Sequence, residues 1–407
     1  MKIKTRILGE HPPLHLIDVA GLSVSASWIR GGDGFIAFGS YKETTITGKN
    51  RFKAAGDWWN NEINQFTIEN DQGGFGTGPL LFTSFSFDRE QSSHLLIPQV
   101  IVGQKNGKSW ITWIGDGEQP ALIARTESDH AGSEIKWSDG TLSPEEWKNR
   151  VTQAIEKIKS GAVDKVVLAR DAIATSQTPI HLRSIIDHLV HEYPSTWVYT
   201  QDGLVGATPE LLVRLSKGLA TSRVLAGTIR KTGDEQKDLA NAASLAKSSK
   251  DLEEHEYAVR SVVDALNPFT TSTNVPDSPF VLHLANVMHL ATDVTGVIHE
   301  SANRVDIFSL LNSLHPTAAV CGTPRDKAFE IITTLEGMNR ERYSGPIGWV
   351  DYRGDGEMGI ALRCGKISED GFSLRAFAGC GIVVGSDPEK ELAEAHAKLA
   401  PMRSALI

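Results

Sequence analysis

Cysteine is scarce in this chain of 407 residues: Cys321, Cys364 and Cys380 are odd in number, far apart and without CxxC spacing. A disulfide framework and a cysteine-built zinc site are thereby excluded, and a cytoplasmic, reducing setting is expected. Long apolar runs are missing as well. No stretch approaches the roughly 18 residues that a membrane helix needs. Behind Lys2, Lys4 and Arg6 the chain is broken by Glu10, Pro12 and Pro13, so neither a signal peptide nor an anchor is expected. Positive charge is in deficit, with 41 basic side chains against 50 acidic ones and a formal net charge of −9. General affinity for nucleic acid or anionic membrane is excluded on that balance, although a local basic pocket is not. Repeats and low-complexity tracts are absent.

What remains is ordinary globular material, 40% hydrophobic and 22% charged, long enough to bury a sizeable core. Residues 1–140 read as a β-rich part. LSVSASWI (Leu22 to Ile29), LLFTSFSF (Leu80 to Phe87), HLLIPQVIVG (His94 to Gly103) and SWITWIG (Ser109 to Gly115) are β-branched or aromatic runs separated by Gly/Asp/Asn turns. A polar stretch follows from about Glu127 to Leu142. Residues 141–407 mix strands and helices. Ser143-Pro144-Glu145-Glu146 reads as an N-cap, a first-turn proline and first-turn acids opening a helix to about Ser160. DKVVLAR is a short strand, Arg183 to Glu192 a helix, and Asp234 to Leu266 a single long helix closed by Pro268. Strands are expected in Trp197 to Leu215, Pro346 to Tyr352, Gly359 to Ile367 and Ser373 to Val384, and a last helix over Pro388 to Met402. Without regular βαβ alternation, the class is α+β rather than a doubly wound sheet.

Several residues carry chemical promise. In KDLEEHE, Asp251 and Glu254 lie three apart and share a helix face; Glu391, Glu394 and Lys398 do the same in the last helix. Oxygen ligands from two helices suit a hard cation such as magnesium, although acidic helix faces are commonly just solvated. Gly379 and Gly381 alternate in an apolar strand, leaving bare amides for a carboxylate or merely a bend for packing. Lys165, opening its strand, is a surface residue or a base; Glu210, beside Pro209 and Leu211, is a turn residue or a carboxyl held protonated by an apolar pocket. His289 lies in a strand-like run, where a satisfied core histidine is the simpler reading. Arg363, inside IALRC, needs an anion partner, and a carboxylate fits its fork.

Taken in order, DKVVLAR, GATPELLVRL, LAGTIR, KDLEEHE, MHLATDVTG, LHPTAAVCGTP, RYSGPIGWV, IALRCGKI and AGCGIVVGSDPEKELAEAHAKL resemble the chorismate-utilising enzymes. That family includes isochorismate synthases, salicylate synthases and the synthase subunits for anthranilate and aminodeoxychorismate. The match covers about Leu142 to Leu406. The resemblance implies an α+β fold like that of anthranilate and aminodeoxychorismate synthases, a two-layered unit in which β-sheets flanked by helices enclose a deep cleft. It implies that Glu254 and Glu394 ligate Mg2+, with Asp251 and Glu391 as nearby acids acting through water. Arg363, Tyr343, Lys398 and the amides around Gly379 and Gly381 would grip the two substrate carboxylates; Gly227, Thr228 and His289 would lie near the ring. Lys165 would activate water for attack at C2, and Glu210 would protonate the departing C4 hydroxyl.

Within the family, the ammonia-using members lack a lysine at Lys165. Ala319, in HPTAAVCG, stands where the lyase members carry threonine and isochorismate synthases alanine. The expected activity is therefore isochorismate synthesis from chorismate, with a salicylate synthase or a non-catalytic chorismate-binding protein as alternatives. No glutaminase subunit is expected, since water is the nucleophile. A monomer is compatible with the sequence, which leaves the oligomeric state open. Isochorismate supplies menaquinone in some routes and siderophores in others, and the sequence selects neither.

Overall fold

The computed structural model describes residues 1–8, 23–70, 73–122, 134–285, 287–299 and 305–407, with the backbone alone at 19–20 and 123–124. Two large sheets, of 13 and 10 strands, dominate it. The first starts at Ile135–Asp139. It runs through Lys165–Ser176, Ser373–Ile382, Cys364–Ile367, Leu204–Thr208, Trp197–Gln201 and Val24–Arg30 towards Lys2–Ile7 and Thr67–Asn70. In the second, Val287–Ile298, Leu219–Arg230, Leu211–Ser216, Gly356–Ile360, Pro346–Asp351 and Leu80–Ser84 are successive neighbours. Strands from before residue 140 enter both sheets, so Val24–Arg30 pairs with Trp197–Gln201 and Leu80–Ser84 with Pro346–Asp351.

The burial pattern explains the layering. Trp28, Phe35 and Trp110 of the first sheet meet Phe82 and Trp349 of the second in one aromatic layer. Phe35 and Trp349 pack edge-on with centroids 4.8 Å apart, the arrangement that ring quadrupoles favour. Outside the first sheet lie the apolar faces of Pro144–Lys159, Leu182–Glu192, Arg325–Leu335 and Pro388–Lys398, through residues such as Trp147, Val151, Leu189, Ile332 and Ala395. Outside the second, Arg51–Ile63, Ser249–Leu266 and Ile307–Leu314 contribute Phe52, Trp59, Val262 and Leu311. Counted outward the layers number four, helix–sheet–sheet–helix, because each two-faced sheet has one face on its partner and one under helices.

Helix Pro144–Lys159 starts as expected: Ser143 accepts from Glu146 N–H and the Glu146 carboxylate reaches back to Ser143, a complete capping box. Elsewhere local structure departs from the expectation. The β-rich first part contains the helix Arg51–Ile63, whose buried Phe52, Ala55, Trp59 and Ile63 recur at helical spacing. The long helix over Asp234 to Leu266 is two, Glu235–Leu245 and Ser249–Leu266, because the Ser248 side chain caps a new N-terminus through Asp251 N–H. The last helix is likewise split, into Pro388–Lys398 and Ala400–Ser404. Ile135–Asp139 is an edge strand within the polar stretch from about Glu127 to Leu142, of which residues 127–133 lie outside the described residues. Among the described residues no helix is long and apolar enough to cross a membrane.

Candidate active site

A cavity opens between the sheets where Val167, Gly379 and Gly381 of the first face Leu225, Ala226, Gly227, Thr228 and His289 of the second. Glu210, Glu254, Ala319, Tyr343, Arg363, Glu394 and Lys398 complete most of its lining. Ten separate segments thus converge, and all but three of the residues singled out in the sequence line the wall. Lys165, Asp251 and Glu391 are the three set behind it.

Two sheet irregularities shape the wall. The pairing of Cys364–Ile367 with Ser373–Ile382 stops at Ala376, so beyond it one edge of the strand carrying Gly379 and Gly381 is open. In the second sheet, register shifts between Ala226 and Thr228, and Gly227 sits in that bulge at φ +76°. A side chain there would press on Asp251 Cβ at 3.0 Å, so glycine is needed for both conformation and space. The Gly381 position is equally restricted: a Cβ would overlap Glu254 Oε1 and lie 3.0 Å from Lys165 Cε.

Three carboxylates meet three lysines behind and along this wall. Lys165 is fully buried, and its Nζ lies 3.1 Å from Glu254 Oε1. That contact is off the line of a good hydrogen bond, and no other described atom accepts from this ammonium. Lys398 Nζ is 2.7 Å from Glu394 Oε1 and donates to the Gly379 carbonyl at 2.8 Å. Lys250 Nζ reaches Glu391 Oε1 at 3.2 Å. Burial works to raise the Glu254 carboxyl, but Lys165, with Lys398 and Lys250 further off, brings it below its ordinary value. Burial and the neighbouring Glu394 raise Glu391; burial likewise raises Asp251. For Lys398 burial opposes the charge, yet Glu394 prevails and holds it above the usual lysine range.

Glu391, Glu394 and Cys380 bring ligand atoms within 4.8 Å of one another. The Cys380 thiol is pushed well up by burial and by Glu394, so it stays protonated and donates to the Glu391 carbonyl. The donors available to a metal are therefore carboxylate oxygens, the set that a hard divalent cation takes.

Glu210 lines the same cavity, only 5% exposed and without a hydrogen bond or ion pair to its carboxyl from the described residues. Burial pushes it up to about 8 despite the opposing fields of Lys165, Arg363 and Lys398. At that value the carboxyl carries its proton at neutral pH. His289 is fixed in one tautomer: Nε2 must accept from Arg363 Nη2 at 3.0 Å, so Nδ1 carries the proton towards Thr228 Oγ1 at 3.1 Å and Gly227 O at 3.3 Å. Burial and the Arg363 charge push its pKa well down, keeping the ring neutral. Arg363 is not inside a strand as expected. It stands between Gly356–Ile360 and Cys364–Ile367 at φ +52°, a left-handed turn that aims the guanidinium into the cavity. Tyr343 stacks on Phe377, centroids 5.2 Å apart, and burial raises its hydroxyl to about 12.

Sequence reasoning missed Lys250, although its spacing of four from Glu254 puts it on the same helix face. It also missed the wall residues Val167, Val320, Ser344 and Leu362, whose apolar or small character gives no chemical signal.

The chorismate binding enzyme family matches residues 29–407. Isochorismate synthase MenF of Bacillus subtilis (strain 168) is 33% identical over 357 residues, covering 81% of this chain and 75% of the relative. Among solved structures, a candidate 2,3-dihydroxybenzoate-specific isochorismate synthase, DhbC, of Bacillus anthracis superposes with a TM-score of 0.80 at 28% identity, covering 96% of this chain and 98% of that one. Anthranilate synthase component I of Streptococcus pneumoniae TIGR4 shares the fold, with a TM-score of 0.65 at 19% identity over 99% and 92% of the two chains. The chain belongs to the chorismate binding enzymes, and its fold is the α+β arrangement of sheets flanked by helices expected from the motifs.

Proposed function

We propose that this chain is an isochorismate synthase, converting chorismate to isochorismate by attack of water at C2 and loss of the C4 hydroxyl. The observation that carries the proposal is Glu210: a buried carboxyl without a partner among the described residues, held protonated at neutral pH by burial, on the wall of a cavity that also holds cations and carboxylates. Displacing a hydroxide is difficult unless the leaving oxygen is protonated, and Glu210 is placed to do so. The attacking water must lose a proton on the other side. Lys165 Nζ is the base we assign to it, set 3.1 Å from Glu254 Oε1. Each role contributes about two to four orders of magnitude in rate.

Arg363, oriented by neutral His289, is the cation for a substrate carboxylate, with Lys398 and the open strand edge at Gly379 and Gly381 nearby. Glu254 and Glu394 are the residues we assign to Mg2+, with Asp251 and Glu391 acting through water; the oxygen-only donor set supports this. When bound, the ion supplies charge withdrawal from the ring carboxylate and orientation. Ala319 on the wall leaves the site without the threonine hydroxyl of the lyase members. A cytoplasmic setting is supported by the three free, buried thiols.

The test is incubation with chorismate, with and without magnesium after chelation, and chromatographic separation of products. Isochorismate formed only with the metal is expected. Salicylate and pyruvate as main products would overturn the assignment.

A further inference from the structure

Behind Val167 and Val320 lies a buried ion pair to which the reaction just described assigns no role. Glu336 and Arg340 are 3% and 4% exposed. The Glu336 carboxylate takes Arg340 Nε at 2.8 Å and also contacts Nη2. Its remaining valences go to the main chain: Arg340 Nη1 donates to the Val320 carbonyl at 2.9 Å and Nη2 to the Val167 carbonyl at 2.8 Å. Glu336 Oε1 accepts the Ala169 N–H at 2.7 Å.

Sheet register shows what this does. Lys165 and Val166 pair with Thr323 and Gly322, and Val167 N–H still reaches the Cys321 carbonyl at 2.8 Å. Beyond that point the two segments part. An ordinary ladder would hold the Val167 and Val320 main chains together; here a planar guanidinium is inserted between their carbonyls. Three buried backbone groups that would lack partners are satisfied by the pair. The separation of the segments is then set by the rigid fork of an arginine. Both segments carry the site: Val167 and Val320 line the cavity, Lys165 opens one segment and Ala319 precedes the other.

We propose that Arg340, clamped by Glu336, is a positioning residue for chorismate turnover, a wedge that fixes the distance between the Lys165 strand and the Ala319–Val320 wall. The inference rests on the functional reading above for its substrate. A lysine at 340 keeps the charge beside Glu336 but cannot bridge two carbonyls in a fixed plane.

The test measures chorismate consumption per folded enzyme, apart from product identity, for wild type, Arg340→Lys and a control, Val151→Ala. Val151 is fully buried in the core outside the same sheet and lines no part of the cavity. For Arg340→Lys kcat is expected to fall about tenfold or more with KM within about threefold, because misplacement of a reacting group by an ångström costs rate more than binding. Val151→Ala should lower Tm comparably and keep kcat within about twofold. Arg340→Lys with near-native kcat, or an equal loss in Val151→Ala, overturns the proposal. Should Arg340→Lys fail to fold, the double variant Glu336→Gln/Arg340→Gln, which buries no uncompensated charge, is measured in its place. If that also fails to fold, the pair is a folding determinant and the proposal falls. An unexpected product from wild type would refute the isochorismate assignment while leaving the variant-to-wild-type ratio intact as the measure of the wedge.

Discussion

Replacing Glu210 by glutamine should make the protein more stable and nearly inactive. In the folded chain the carboxyl is pushed from 4.5 to about 8 by burial; unfolded, it ionises near ~4.3. Between those values the unfolded state has released a proton that the folded state retains. Stability therefore falls as pH rises through this window, by about 1.4 kcal/mol per unit. At pH 7 the accumulated cost is up to ~4 kcal/mol, and local relaxation reduces it to about 1–3 kcal/mol. Glutamine has the same shape and never ionises, so the variant escapes that cost. Denaturant melts at several pH values should show Glu210→Gln above wild type at pH 7, with the gap closing near pH 4. Turnover of chorismate should drop by about two to four orders of magnitude. For wild type, kcat/KM should decline about tenfold per pH unit on the alkaline side of about 8, a limb that the variant's residual rate lacks. A variant less stable than wild type at pH 7, or one retaining near-native turnover, would refute the reasoning.

Lys165→Ala should abolish turnover while chorismate still binds, and it removes the positive charge 3.1 Å from Glu254 Oε1. Its affinity for Mg2+, followed by calorimetry, should therefore rise severalfold; unchanged or weaker metal binding would contradict the assignment of Glu254 as a ligand. Gly381→Ala places a methyl group against Glu254 Oε1 and Lys165 Cε, so Mg2+ affinity should fall about tenfold with the fold retained, which circular dichroism and calorimetry together check.

Much of the site was legible because its parts announce themselves locally. Ser143 and Glu146 spell a capping box, and Asp251 and Glu254 show a shared face by spacing alone. Other features have no local signature. Helix Arg51–Ile63 carries Asn60 and Asn61 on a polar side, a glycine, Gly56, on its buried face and Trp58 out of phase, which blurs the period of that face. The break at Ser248 depends on a serine choosing to cap, and serine does so in many contexts. Nothing in IALRC says that Arg363 adopts a left-handed conformation; tertiary contacts impose it. The pairing of Lys250 with Glu391 joins residues 141 positions apart, and only the packed sheets decide it. The Glu336–Arg340 wedge reads in sequence as an unremarkable helix-spaced ion pair, whereas its function lies in the carbonyls it separates.

The pairing of Glu254, Glu394 and Glu391 with Lys165, Lys398 and Lys250 has a thermodynamic consequence. A cation entering among these carboxylates would compete with ammonium groups already in place, so its uptake is an ion exchange rather than the filling of a bare acidic hole. The displaced ammonium of Lys398 would be left facing the cavity without its carboxylate, available to an anion. Metal and a dianionic substrate would then favour each other's binding, and by linkage each would tighten the other by the same factor. Selectivity in such a site resides in the pair of guests, because neither alone leaves every charge matched.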